Sequence, residues 1–563
     1  MRFLYVSLAS LWFCLLYHVA TGQSAAELTA TIKQINSQLK PVTSSAESFE
    51  QLVSFESLRP YLIEVSVKET DKKGQATRMQ YALNLADIDP GSIAFEAKKD
   101  LMVLTLKTRA KQSFISQRKN DIPQNNVSQL ILYGTDADNT RALADLFRKA
   151  APLADKQFVA DVRLPTTYDA LVKWIATNTD TTPAGKESIQ QSVEADKANP
   201  LLLTLLQNRT ENGKSTEQLY ILNAADLNGQ PVKLDVDGNL VNVVLENKDR
   251  FIRLRKNGQW GRNTSSVEMA CFSAHKARMI QMAWQKLLPL ASKILDDQRA
   301  KFVQYGSLTE GLQRLSVAIK PADDGDTHIE QTLQATCLTT LTRKTSGKKA
   351  IDETFRFHWS DLDGRGGKLK ADGASFALDI PTKNKGKWIT TARNGEQGAY
   401  DSNLDVLSND LETIRFVPAL LEKIIPDCQK TIATTLPTGG MMWVTDKTNA
   451  IQDPKGQMSY AFKKGDDNCI YSYTTRQNTG KKTNELSWDI KLADLDQQAV
   501  KINISGSSLS IDLATTAKDK IMKAYKDGQP TNYTNQLSIP VNDLELARPM
   551  AELWRQAIAG CRR

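Results

Sequence analysis

Tyr81-Ala-Leu-Asn-Leu-Ala-Asp87-Ile-Asp89 is the stretch on which the reading of this chain turns, because its pattern returns three times. The second occurrence is Tyr220-Ile-Leu-Asn-Ala-Ala-Asp226-Leu-Asn228, and the third is Phe355-Arg-Phe-His-Trp-Ser-Asp361-Leu-Asp363. The fourth is Trp488-Asp-Ile-Lys-Leu-Ala-Asp494-Leu-Asp496. In each, an aromatic residue stands six positions before an aspartate. The four aspartates follow one another at 139, 135 and 133 residues. A period this long marks repeated domains, each large enough to own a core, and not a solenoid of small units.

Working outward from the second occurrence gives the content of one unit. Thr167–Thr177 carries apolar residues at helical spacing (Leu171, Trp174, Ile175). Seven β-type runs follow: Ser188–Glu194, Leu201–Gln207, Glu217–Ala224, Pro231–Val236, Leu240–Leu245, Arg250–Arg255 and Ser266–Phe272. Several alternate apolar and polar residues, the period of a half-buried strand. Asn228-Gly229 and Asn257-Gly258 supply turn chemistry between some of them. Ser273 then reads as the N-cap of a closing helix, with an apolar stripe through Ile280, Ala283, Trp284, Leu287 and Leu288. The other closing helices start near Asp136, Asp410 and Asp543 and end near Ala154, Cys428 and Cys561. A further helix precedes the first copy, around Ala26–Gln38.

The fold expected is α+β and mainly antiparallel β, as four tandem helix-capped, barrel-like repeats. In element order, seven strands closed by one helix, each unit resembles the pleckstrin-homology-like barrel. The resemblance implies two bent sheets whose open end is plugged by the helix. The expected bounds are 1–22 for a signal peptide, then 23–158, 159–305, 306–433 and 434–563 for repeats 1 to 4.

The signal peptide is read from Arg2, the apolar run Phe3–Val19 and the small residues Ala20 and Gly22, with cleavage before Gln23. No later stretch is long and apolar enough to suggest a second membrane span. The expectation is an exported chain, secreted or periplasmic. Net charge is +8, with Lys and Arg interspersed among Asp and Glu along the whole length. Nothing resembles the basic block of a nucleic-acid binder.

The cysteines agree with the repeat alignment. Cys337 and Cys428 occupy the same two places in the third copy as Cys469 and Cys561 in the fourth, with separations of 91 and 92. In an oxidising compartment this pattern predicts two disulfides within copies. Apolar residues take these places in the first copy (Tyr61, Ala154) and the second (Leu201, Ala291). Cys271 is left over and reads as a small buried hydrophobe.

Motifs for chemistry are sparse. After the signal segment only His275, His328 and His358 remain, and none recurs between copies. No Gly-x-Ser-x-Gly elbow occurs. The pairs Asp87/Asp89, Asp361/Asp363 and Asp494/Asp496 sit where a strand turns, with Asn228 replacing the second member in copy 2. They read as turn residues that bond their own backbone, not as calcium ligands. Gly364-Arg365-Gly366-Gly367-Lys368 joins two expected strands and is read as a hairpin, not a phosphate loop. Trp284, Trp488 and Trp554 fall on core stripes; Trp260 and Trp388 lie near loops or strand ends, where they could stack on a sugar or peptide, but core or edge packing is the expectation for these two as well. Acceptor sequons for N-glycosylation stand at Asn126, Asn208, Asn263, Asn503 and Asn532.

No catalytic, cofactor or metal residues are assigned. The functional expectation is a non-enzymatic exported binding or scaffold protein with a protein, peptide or glycan partner. The alternatives are a carrier of a small apolar ligand within a barrel, and a carboxylate-dependent hydrolase centred on the third copy with His358.

Overall fold

The computed structural model describes residues 25–179, 182–184, 187–324, 327–347, 350–432, 436–453, 456–480 and 482–562. The expected signal segment lies outside the described residues. The chain is α+β, mainly antiparallel, and consists of four similar repeats. It divides into two compact units, one ending at Gln298 and the other starting at Arg299, with two repeats in each.

Each repeat contains two antiparallel sheets. In the second repeat all seven expected strands are present. Six strands form one sheet: Thr182–Ala184, Glu187–Ala195, Leu202–Glu211, Lys214–Asn223, Arg253–Lys256 and Gln259–Trp260. Lys233–Asp237, Leu240–Glu246 and Ser266–Cys271 form the other. The two edge strands missing from the sequence reading, Thr182–Ala184 and Gln259–Trp260, are too short for a period of two to register. Copies 1 and 3 have the same six-plus-three arrangement, and copy 4 has five plus three.

Alternation decides which face of each sheet turns inward. Along Arg59–Asp71, Ile63, Val65 and Val67 are buried, while Leu62, Glu64 and Ser66 face outward. The closing helix Ala137–Asp161 lays Leu143, Phe147, Ala150, Ala154 and Phe158 against this inner face, each 0–1% exposed. Burying a Phe or Leu side chain contributes about 2–3 kcal/mol, and these stripes hold helix to sheet. The N-caps are those expected: the side chains of Asp136, Asp410 and Asp543 accept from Asn139, Thr413 and Leu546 N–H. Ser273 receives Lys276 N–H.

The first closing helix runs past Ala154 to Asp161, with Pro152 inside it. Pro152, Pro289 and Pro426 each stand sixteen residues after the cap of their helix. A proline removes one backbone hydrogen bond but does not stop a helix whose following turn is buried, which is why the expected end fell short.

Both disulfides are present, Cys337–Cys428 and Cys469–Cys561, each tying the end of a closing helix to the start of a strand. Tyr61, Ala154, Leu201 and Ala291 are all buried in the copies without bridges, so packing substitutes for the covalent bond. Cys271 is buried and free, and burial pushes its thiol up to about 12. Among the described residues no helix is long and apolar enough to cross a membrane.

Candidate binding cleft at the junction of paired copies

The repeated aspartate has a role beyond its own turn. In the first copy Asp87 is buried, and its Oδ1 accepts from Arg278 of the second copy's closing helix at 2.7 Å. Arg278 also reaches Asp155 at 3.4 Å and lies over the Phe158 ring at 4.7 Å. In the other unit the arrangement recurs. Asp361 of the third copy receives both guanidinium nitrogens of Arg548 from the fourth copy's helix, and Arg548 sits 5.8 Å from the Trp388 ring.

An arginine stands five residues after every helix cap, as Arg141, Arg278, Arg415 and Arg548. This repeat signal is present in the sequence and escaped the reading centred on strands. Burial pushes the Asp87 carboxyl up to about 6 even though Arg278 pulls the other way.

Two further contacts recur at equivalent places. The hairpin-tip carbonyl of Gly238 in the second copy accepts from Asn126 N–H of the first at 2.9 Å. Gly506 of the fourth accepts in the same way from Tyr400 N–H of the third at 3.1 Å. Both glycines have φ near +59°, the left-handed conformation that favours residues lacking a Cβ. An aromatic knob completes the junction: Phe114 packs within the second copy's core, and Trp388 packs against the fourth copy's.

The junction in the first unit leaves an open cleft of about 890 Å³. Its floor is the outward face of the first copy's sheet, with Leu62, Glu64, Gln80, Ala82, Ser116, Arg118 and Gln124. Its far wall comes from the second copy, with Asn239 at the hairpin tip and Phe272 to His275 at the helix start. Glu56 and Arg59 form an ion pair at the rim, 2.7 Å apart. Phe272 is 55% exposed, unusual for a residue beside a packed junction. Gln80 has a side-chain oxygen shielded from water and without a hydrogen-bond partner. His275 lies against the rings of Tyr61 and Phe158, with Nδ1 3.5 Å from the Asn84 amide. Burial lowers it to about 4, helped by Arg59 and Arg278, so the imidazole is neutral near pH 7.

The other expected candidates fall into structural roles. His358 Nδ1 accepts from Ser360 N–H, and its neighbours by alignment, Asn84 and Asn223, accept from Ala86 and Ala225 in the same turn. Its bond to Ser360 Oγ, 2.8 Å, belongs to that cap. His328 is exposed beside Asp323. Asp89, Asp363 and Asp496 bond the backbone N–H two residues on, as turn residues do. Gly364–Lys368 is not the expected hairpin: with the turn at Trp359–Asp361 it carries the chain from strand Ile351–His358 of one sheet to strand Lys368–Asp372 of the other. Trp260 lies beneath Arg253 at 4.1 Å, 43% exposed. Among the sequons, Asn263 is buried, whereas Asn503 and Asn532 are exposed. No group of three or more His, Cys, Asp or Glu that could hold a metal ion occurs among the described residues.

No family model, curated protein or solved structure matches the chain.

Proposed function

We propose that this is an exported binding and scaffold protein, and that the cleft between its first two copies takes an uncharged, hydroxyl-rich segment such as a neutral glycan. The observation that carries this reading is the lining of the cleft: six side-chain amides (Gln80, Asn84, Gln117, Gln124, Asn126, Asn239) beside the exposed ring of Phe272. An amide offers a donor pair and an acceptor at fixed spacing, which suits neighbouring hydroxyls, and an open aromatic face suits the apolar side of a sugar ring. Formal charge in the cleft balances, with Glu56 and Glu64 against Arg59 and Arg118 and a neutral His275.

A sheet face, unlike an edge, has its backbone groups already paired, so strand addition by a peptide has no foothold on this floor. The two disulfides support an oxidising compartment. The pleckstrin-homology-like element order supports a binding role by analogy of fold alone. The carrier alternative finds little support, since the space between the sheets of the first copy is filled by Leu104, Leu106, Leu130, Leu132 and Phe147.

Calorimetric titration with neutral oligosaccharides tests the reading. Gln80→Ala and Phe272→Ala are each expected to weaken binding roughly tenfold, about 1.4 kcal/mol, while Trp260→Ala leaves it unchanged. Binding of extended peptides in place of every oligosaccharide, or oligosaccharide binding indifferent to both cleft variants, would overturn it.

A further inference from the structure

The junction within each pair of copies has two sides. The donor side is the closing helix with its arginine, and the hairpin tip. The acceptor side is the repeated aspartate, the knob, and the residue twelve positions after the knob (Asn126, Tyr400 and Tyr533). In the third copy that acceptor side is covered: Tyr400 is 4% exposed and packs with Trp388 in the fourth copy's core.

The fourth copy has the same side open. Ile521 stands at the place of Trp388 and is 45% exposed; Tyr533 stands at the place of Tyr400 and is 50% exposed. Asp494, at the place of Asp87 and Asp361, is half-buried; the Thr516 hydroxyl donates to its backbone carbonyl, and its carboxylate has no side-chain partner among the described residues. The burial difference is at matched positions of one module, so the module's surface composition does not explain it.

The donor side is open in the first copy. Arg141 is 58% exposed, with only Asp138 beside it at 2.7 Å. Its helix presents Asp138, Arg141 and Asp145, which repeats in place and charge the Glu545, Arg548 and Glu552 of the helix already docked on the third copy. The hairpin tip of the first copy has Lys99 in the left-handed conformation, φ +55°, matching Gly238 and Gly506. Lys491 on the open acceptor side occupies the place of Asn84, the residue that meets His275, and so would face Asp138.

We propose that the chain associates with itself head to tail, the acceptor side of the fourth copy of one molecule taking the closing helix and hairpin tip of the first copy of the next. Arg141 then pairs with Asp494, Asp138 meets Lys491, Ile521 is covered, and the Lys99 carbonyl accepts from Tyr533 N–H. Such a contact is heterologous and produces rings or filaments, not a symmetric dimer.

Sedimentation velocity on the chain from Gln23 onward, across a concentration series and at low and high salt, tests this. The wild type is expected to form species larger than one chain as concentration rises, and fewer of them at high salt. Arg141→Glu and Asp494→Arg are each expected to sediment as one chain, with melting temperatures equal to wild type. Mixed in equal amounts, the two variants present opposite charges to each other at both kinds of contact, so species of two or more chains should form again. Ile521→Asp should also abolish association without using the ion pair. A single-chain species at every wild-type concentration up to about 1 mM overturns the proposal. Association that persists in all three variants overturns it equally, since another surface would then be responsible.

Discussion

Arg278 donates to Asp87 across the junction of the first two copies at 2.7 Å, and both groups are largely shut off from water. A buried pair of this kind costs most when only one member is removed. Arg278→Met should therefore destabilise the first unit by about 3–5 kcal/mol, and adding Asp87→Asn should recover a large part of the loss. Arg548→Met with and without Asp361→Asn should repeat the pattern in the other unit. Urea unfolding of single and double variants provides the comparison; additive losses would mean that the two side chains are not coupled.

The pH behaviour of the first unit combines two groups of opposite sign. His275 is lowered to about 4 from 6.5, so the unfolded chain binds the proton first, and stability falls as pH drops from about 6.5 to 4. Asp87 is raised to about 6 from 3.8, so the folded chain binds the proton first, and stability rises as pH drops from about 6 to 4. The two slopes offset each other over the shared window. His275→Asn removes one of them, and the variant should become more stable as pH is lowered from 6 to 4. Melting curves across that range would show it, and a variant whose profile matches wild type would rule out the offset.

Phe114 belongs to the first copy by sequence and to the second copy's core by packing. Phe114→Ala should cost about 3 kcal/mol and loosen the junction rather than either copy alone. Hydrogen exchange should accelerate at Asn126 N–H, the neighbouring bond to Gly238, more than at the central strand Arg59–Asp71. Uniform acceleration throughout the first copy would place Phe114 in that copy's own fold instead.

The covalent bonds are confined to the third and fourth copies. Each closes a loop of 91 or 92 residues, worth about 4–5 kcal/mol as an upper estimate from chain entropy. Reduction should lower the unfolding midpoint of the unit from Arg299 onward and leave the other unchanged. Cys271 should resist thiol reagents until its own unit unfolds. Early labelling at Cys271 would contradict its burial.

Periodicity and punctuation made the modules legible. The strands around Tyr220, the capping residues Asp136, Asp410 and Asp543, and the bridge partners all follow from local pattern and matched spacing. The cleft was not legible, because Gln80, Phe272 and Asn239 come from separate elements of two copies, and no local pattern records which outward faces will meet. Asp87 illustrates the boundary. Its place in a turn could be read from neighbours two residues away, whereas its partner lies 191 residues along the chain. The recurring helix arginine was the one available signal, and alone it cannot be told from an ordinary exposed helix residue. His358 misdirects for the opposite reason: it is unique among the copies, yet it performs the same backbone cap as Asn84 and Asn223.

The arginine and aspartate of the junction are both encoded inside every copy, one near its end and one near its middle. A gene segment of one period thus brings its own lock and its own key. Duplicating or deleting a whole pair of copies leaves each lock with its key, so such a protein can change length in steps of two modules without first evolving a new contact. A break that splits a pair or shifts the period within a copy has no such protection, and whole-pair steps are the form in which length variation should be tolerated.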